Sequence, residues 1–375
     1  MNDMTKITDT ARSYIDKLIL TSDPLRPRWN RENFIFRKEP RWNYMDSCII
    51  RALLMSADSR PELLGYAVRF VSSYVTPEGD IPTVEVSDYN LDSICGGRNL
   101  LDLYDRTGDE RYLRAAELLR GQLAEQPRLS CGSFWHKAIY PRQIWLDGAY
   151  MALPFLAAYG KARGEAAAVE DVLAQLENIR TLMRDGETGL YYHGYCESRD
   201  TIWADSETGL SPNIWLRANG WLCAGLADIL EITGDSGCAE MLAELLDSLR
   251  ACLTEDGMLL QLPVLPELGG NYPETSGTLL FAYAAMKAHR LGAVSAEVAE
   301  DGRRALTAVT ERYITYDGDV PVLRNICLMA GLGGTEKRDG SAEYYLSERV
   351  VENDAKGIAP YLMAAAESAR LIRNS

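Results

Sequence analysis

The sequence predicts an all-α protein, an (α/α)6 barrel of six helical hairpins closed into a ring as a single domain over residues 1–375. Three observations lead there. Apolar residues recur at helical spacing along most of the chain, the helical stretches come in pairs split by short turns, and the pairs are joined by long connections rich in aromatic residues. Repetition of this kind implies stacked hairpins, either as an open solenoid or as a closed toroid. A scaffold solenoid joins its repeats by short polar turns, so the long connections favour the toroid, with loops gathered at one end as a site.

In chain order, residues 8–20 carry the first amphipathic stretch, without the cationic start, apolar centre and small-residue cleavage site of a secretion leader. "LLMSADSRPELLGYAVRFV" turns at Asp58. "LLDLYDRTGDERYLRAAELLRGQL" (100–123) is two helices split by Thr107-Gly108-Asp109, with Tyr112, Ala115, Ala116, Leu118 and Leu119 as the apolar stripe. "PFLAAYGKARGEAAAVEDVL" turns at Gly164, "GLADILEITGDSGCAEMLAELLDSL" (225–249) at Gly234, and "FAYAAMKAHRLGAVSAEVAEDGRRAL" at Gly292. These turns recur every 50 to 70 residues, so 375 residues hold about six units. The sixth pair is expected from the two ends, with helix 359–372 beside helix 8–20, and it closes the ring.

Charge and cysteine usage narrow the function. Against 54 acidic side chains stand 39 cationic ones, a net charge of −15 that makes nucleic acid an improbable partner. The cationic cluster is "LRPRWNRENFIFRKEPR" (25–41), interleaved with acids, so long polyanions are also disfavoured. Eight cysteines without a C-x-x-C pair suit reduced thiols packed as small hydrophobes in a cytoplasm. His136, His193 and His289 lack metal-ligand spacing, so neither a metal nor another cofactor is expected. No apolar stretch approaches the ~20 residues of a membrane-spanning helix. The oligomeric state is left open.

The connections carry the chemistry. "SDYNLDSICGG" (87–97) places Asp92 before a helix, and "SCGSFWHKAIYPRQIWLDG" (130–148) brings Trp135, His136, Lys137, Trp145 and Asp147. "TGLYYHGYCES" (188–198) adds His193, and "NIWLRANGW" (213–221) adds Trp215, Arg217 and Trp221. "NYPETSGTLL" (271–280) completes the set. Indole faces that stack on sugar rings, with two carboxylates for proton transfer, are the ingredients of a carbohydrate site. Each residue also has a plainer reading. Asp92 and Asp147 could be helix-start residues favoured by the dipole, Arg217 a surface ion-pair partner, His193 a satisfied loop histidine, and Trp215 and Trp221 core packing. Their co-occurrence in successive connections favours a site.

The segments "FWHK", "QIWLDGAYMALPF", "GLYYHG", "WLRANGW", "YPETSGTLLFAYA" and "YYLSERVVENDAKGIAPYLMAAAE" resemble the unsaturated rhamnogalacturonyl and glucuronyl hydrolases, in order from about residue 40 to 372. These are glycoside hydrolases with a six-hairpin α/α barrel. The resemblance implies removal of a 4,5-unsaturated uronic acid from the non-reducing end of oligosaccharides left by polysaccharide lyases. It also implies Asp147 as general acid and base, Asp92 as its assisting carboxylate, and Trp42, His136, Lys137, Trp145, His193, Trp215, Arg217 and Trp221 as the lining of the sugar pocket. Leu216, Ala218 and Cys196-Glu197 depart from the family's usual residues. A proton donor to carbon must be un-ionised, so burial beside Trp145 and the charge of Asp92 are expected to raise the pKa of Asp147. Arg217, Lys137 or a histidine is expected to grip the uronate. A conventional inverting glycosidase, a non-catalytic helical scaffold and, less favoured because histidines are few, a sugar epimerase are the other readings.

Overall fold

The computed structural model describes residues 3–334 and 338–374, and it is built from helical hairpins. Helix α1 (Asp3–Ser13) continues as a π-helical segment to Ile19, and a short α2 (Arg31–Phe36) follows. The hairpins are then α3 (Tyr44–Leu54) with α4 (Pro61–Ser72), α5 (Gly97–Thr107) with α6 (Glu110–Glu125), and α7 (Leu146–Arg163) with α8 (Ala166–Met183). They continue as α9 (Leu216–Thr233) with α10 (Ser236–Ala251) and α11 (Thr275–Arg290) with α12 (Ala296–Arg312). A short α13 (Ala342–Ser347) precedes the last helix, α14 (Ala355–Asn374), which packs on α1 as the sixth pair. The expected helices at the chain ends are thus both present and longer than their apolar stretches. α14 starts at Ala355, so Pro360 lies inside it as the sixth residue and costs the helix one backbone hydrogen bond.

Burial explains which member of each pair lies inside. Residues 148–157 of α7 are buried on every face, as are residues 275–288 of α11, so these helices have no polar side and must be surrounded. Their partners bury a single stripe; on α6 it is Tyr112, Leu113, Ala115, Ala116, Leu119 and Leu123. The inner helices touch in the order α3, α5, α7, α9, α11, α14, and α14 packs back against α3, which closes the ring. Each fully buried leucine or phenylalanine in that core contributes about 1.5–3 kcal/mol.

The expected turns do their work through backbone conformation. Gly108, Gly164 and Gly234 each cap an inner helix with φ near +70°, where a side chain would be strained. Strand content is small. β1 (Gln143–Trp145) pairs antiparallel with β2 (Gly194–Cys196), β3 (Ile314–Asp317) with β4 (Val320–Leu323), and β5 (Ile326–Cys327) with β6 (Val350–Val351).

One buried ionic network ties four inner helices together. Asp228 of α9 pairs with Arg98 of α5 and, at 2.6 Å, with Lys287 of α11, and it accepts from the Tyr283 hydroxyl. Glu231 of α9 meets Lys287 at 2.6 Å, and Arg290 of α11 meets Glu367 of α14 at 2.7 Å. Removing one member strands the others without water. Asp228→Ala should therefore lower the unfolding free energy by about 3–5 kcal/mol in denaturant titrations. The network also sets a pH dependence. Burial opposes ionisation of Glu231, but Lys287 outweighs it and holds the carboxyl down at about 2. Its folded pKa lies below the unfolded one, so this stabilisation is present above the ordinary glutamate pKa and is lost as pH falls toward about 2.

Candidate active site

Strand pairing brings the first two site residues together. β1 and β2 align Trp145 opposite Gly194, and the Leu146 amide donates to the His193 carbonyl at 3.1 Å. Asp147, at the start of α7, is thereby set beside His193. Its Oδ2 lies 3.1 Å from His193 Nε2, and His193 Nδ1 lies 2.7 Å from the Tyr345 hydroxyl. His193 is fully buried, with Trp215 packed on its ring at 4.8 Å.

Asp92 arrives from a second connection. The Leu91 amide donates to the His136 carbonyl and the His136 amide to the Gln143 carbonyl, so the Asp92 turn, the "FWHK" segment and β1 are stitched side by side. Lys137 Nζ then pairs with Asp92 Oδ2 at 2.6 Å. Glycines make the fit possible. A Cβ on Gly96 would come within 2.1 Å of the Trp42 ring, and one on Gly148 within 3.0 Å of His136 Nδ1. The Trp42 indole donates to the Ser93 carbonyl at 2.8 Å and walls the turn on its far side.

These residues open onto a cavity of about 330 Å³ at the ends of α3, α5 and α7. Trp42, Asp92, His136, Lys137, Trp145 and Asp147 all line it, as the sequence implied. His136 and Tyr140 stack on Trp145 at 4.5 and 4.6 Å. Burial, aided by Lys137, pushes His136 down to about 4, so its ring is neutral at pH 7. Lys137 is less available than expected, because its charge is engaged by Asp92.

Five expectations need correction. Trp215, Arg217, Trp221 and His193 do not line this cavity, and all four are at most 2% exposed; His193 meets it only through Asp147. Trp215 donates to Gln261 Oε1 at 3.1 Å and backs His193, while Trp221 packs on Tyr150 at 4.6 Å, so the plainer reading of both as core is the observed one. The Arg217 guanidinium lies over Trp215 and is spent on Ser276 and the Cys327 carbonyl, with Glu274 at 4.0 Å. The fifth concerns Asp147. Burial acts to raise its pKa, but the hydrogen bond and charge of His193, with His136 and Arg217 behind it, prevail and hold the carboxyl below its ordinary value. Asp92 is no unpaired charge beside it, because Lys137 Nζ lies 2.6 Å from its Oδ2. The departures from the family pattern lie away from the cavity: Leu216 and Ala218 are in the core, and Glu197 accepts from the Ser130 amide at 2.9 Å near the surface.

Sequence reasoning missed Tyr345, Tyr140 and Arg338. Tyr345 stood in a quoted segment without a role, and only its contact with His193 reveals one. Arg338 lines the cavity and donates to the Gly333 carbonyl at 2.8 Å and the Tyr140 hydroxyl at 3.1 Å, both neutral acceptors. Among the described residues no group of three or more His, Cys, Asp or Glu side chains is placed to hold a metal ion, and no helix is long and apolar enough to cross a membrane.

A closed ring of helical hairpins with paired carboxylates and stacked aromatic rings in an end-on cavity defines a carbohydrate-active hydrolase of the α/α-barrel class. The chain belongs to Glycosyl Hydrolase Family 88, which it matches over residues 24–372. It is 31% identical to a solved family 105 glycoside hydrolase of C. acetobutylicum, with a TM-score of 0.87 covering 98% of this chain and 99% of that one. It is 43% identical over 234 residues to the 24.9 kDa protein in picA locus of Rhizobium radiobacter, which spans 60% of this chain and all of that protein. It is 29% identical over 161 residues to the unsaturated rhamnogalacturonyl hydrolase YesR of Bacillus subtilis, covering 41% of this chain and 43% of that protein.

Two variants separate the corrected roles. Arg217→Ala should cost about 3 kcal/mol of stability, by leaving buried acceptors and Glu274 without their cation. In His193→Ala the Asp147 carboxyl loses its partner but keeps its burial, so its pKa should rise, which ¹³C NMR of the carboxyl can follow.

Proposed function

We propose that this hydrolase removes a 4,5-unsaturated uronic acid from the non-reducing end of lyase-generated oligosaccharides, most directly unsaturated rhamnogalacturonyl disaccharides. The observation that carries this reading is the Tyr345–His193–Asp147 chain opening into a cavity that also holds Asp92 and the cation of Arg338. His193 holds the Asp147 carboxylate through Nε2 and is itself held at Nδ1 by the Tyr345 hydroxyl. The substrate's carboxylate brings negative charge beside Asp147 and displaces water. Both effects raise the proton affinity of the carboxylate, so Asp147 takes up a proton as the substrate enters.

Asp147 then protonates C4 of the enol ether, positive charge develops at C5 and is shared with the ring oxygen, and water adds at C5. The carboxylate left at Asp147 takes a proton from that water, which restores the acid. The resulting hemiketal opens, and the glycosidic bond at C1 falls apart. Asp92, fixed by Lys137, assists as the second carboxylate and orients the sugar. Arg338 takes the carboxylate grip first assigned to Arg217. Reduced cysteines and an acidic surface fit a cytoplasmic enzyme finishing imported fragments.

Hydration destroys the conjugated enoate, so ultraviolet absorbance should fall in step with release of the aglycone sugar, and heavy water should leave one deuterium at C4 of the product. Asp147→Asn should lower the rate by about 10²–10⁴-fold while binding persists. Arg338→Ala should raise KM roughly tenfold at unchanged stability. Steady absorbance during cleavage would transfer the assignment to a conventional inverting glycosidase.

A further inference from the structure

The basic segment 25–41 folds so that Glu32 is committed inward while two of its arginines stay outside. Glu32 turns inward, 6% exposed, to Lys356 at 3.0 Å and Lys38 at 2.9 Å. Arg26 and Arg37 stay exposed and bind no carboxylate among the described residues, and the rings of Phe34 and Phe36 are 50% and 49% exposed beside them. Leu25, Arg26, Phe34, Arg37 and Lys38 line a surface groove of about 290 Å³, with Glu39 as its one acid. That groove shares Asn33 and Lys38 with the catalytic cavity, so the two are continuous.

We propose that this groove is a distal subsite for the reducing-end part of acidic oligosaccharides longer than a disaccharide. The inference rests on the function proposed above. A lyase acting on a chain that alternates uronate with neutral sugar leaves a second uronate two sugars beyond the unsaturated end. Once the unsaturated sugar is in the cavity, the chain has to leave across its rim. On a protein of net charge −15, a groove with two uncommitted arginines is where a further carboxylate finds complementary charge, and Phe34 offers a face for a sugar ring. A second groove touches the cavity at Tyr140 and exposes Ile139 and Ile202, but its one cation, Arg142, is matched by Asp200 within the same lining. The charge therefore selects the first groove over the second. Continuity with the cavity selects a substrate over a second copy of the chain.

The test compares an unsaturated disaccharide with an unsaturated tetrasaccharide of alternating uronate and neutral sugar, each followed by loss of enoate absorbance. In the double variant Arg26→Ala/Arg37→Ala, kcat/KM for the tetrasaccharide should fall roughly tenfold while the disaccharide is unaffected, and the difference should shrink in high salt. Phe34→Ala should act in the same direction, and Arg142→Ala should leave both substrates alone. Equal kinetics for the two substrates in every variant, or a tetrasaccharide loss only in Arg142→Ala, would overturn the subsite. So would a double variant that merely dissolves a dimer in sedimentation and leaves the tetrasaccharide rate intact. Failure of the unmodified protein to consume the enoate of either substrate overturns the functional reading itself, and the subsite with it.

Discussion

Six inner helices start at one end of the ring, and everything at the site depends on that shared direction. Tyr44 and Met45 of α3, Asp147 and Met151 of α7, and Asp92 just ahead of α5 reach one cavity because the helices that carry them begin there. Arg217 of α9 meets Ser276 of α11 at the same level, and Lys356 of α14 meets Glu32. The direction follows from hairpin geometry. With the first member inside in the five consecutive hairpins and α14 inside α1 in the sixth, all inner helices run parallel, and the positive ends of their dipoles face the cavity together. The buried network around Asp228 holds α5, α9, α11 and α14 in register farther along the barrel, so the cavity can stay polar and irregular without loosening the ring.

The electrostatics of the cavity are those of a balanced set. Each carboxylate already has a cationic or cation-capable neighbour, Asp92 with Lys137 and Asp147 with His193. At Asp147 this pairing holds the carboxyl below its ordinary value. Under the proposed function the substrate's own charge is part of the proton balance, and a neutral sugar of similar shape would leave Asp147 as it stands.

Much of this was legible in the residues. The Gly108, Gly164 and Gly234 turns, the paired periodicity and the terminal pair are local patterns, and local patterns survive folding. Asp92 and Asp147 were legible because a carboxylate inside an apolar run needs a reason. The lining roles of Trp215, Arg217 and Trp221 were not, since a helix apolar on every side gives no sign of which face meets the cavity. Tyr345 lies 152 residues from His193, and Arg338 lies 198 from Tyr140 in a stretch without periodicity, so only the closed ring brings either into view. The direction of the Asp147 shift hung on a histidine 46 residues away.

The closing pair has a consequence for how the molecule is made. Met4 of α1 touches Ser368 of α14, a separation of 364 residues, and Thr10 hydrogen-bonds Tyr316 at 2.9 Å. During synthesis α1 emerges long before the helix that covers it, and at ribosomal speed the wait is tens of seconds. Until α14 arrives, α3 and α11 present raw inner edges to one another across a gap. The contacts that close the ring therefore depend on two segments far apart in the chain, and they form only once α14 has been made.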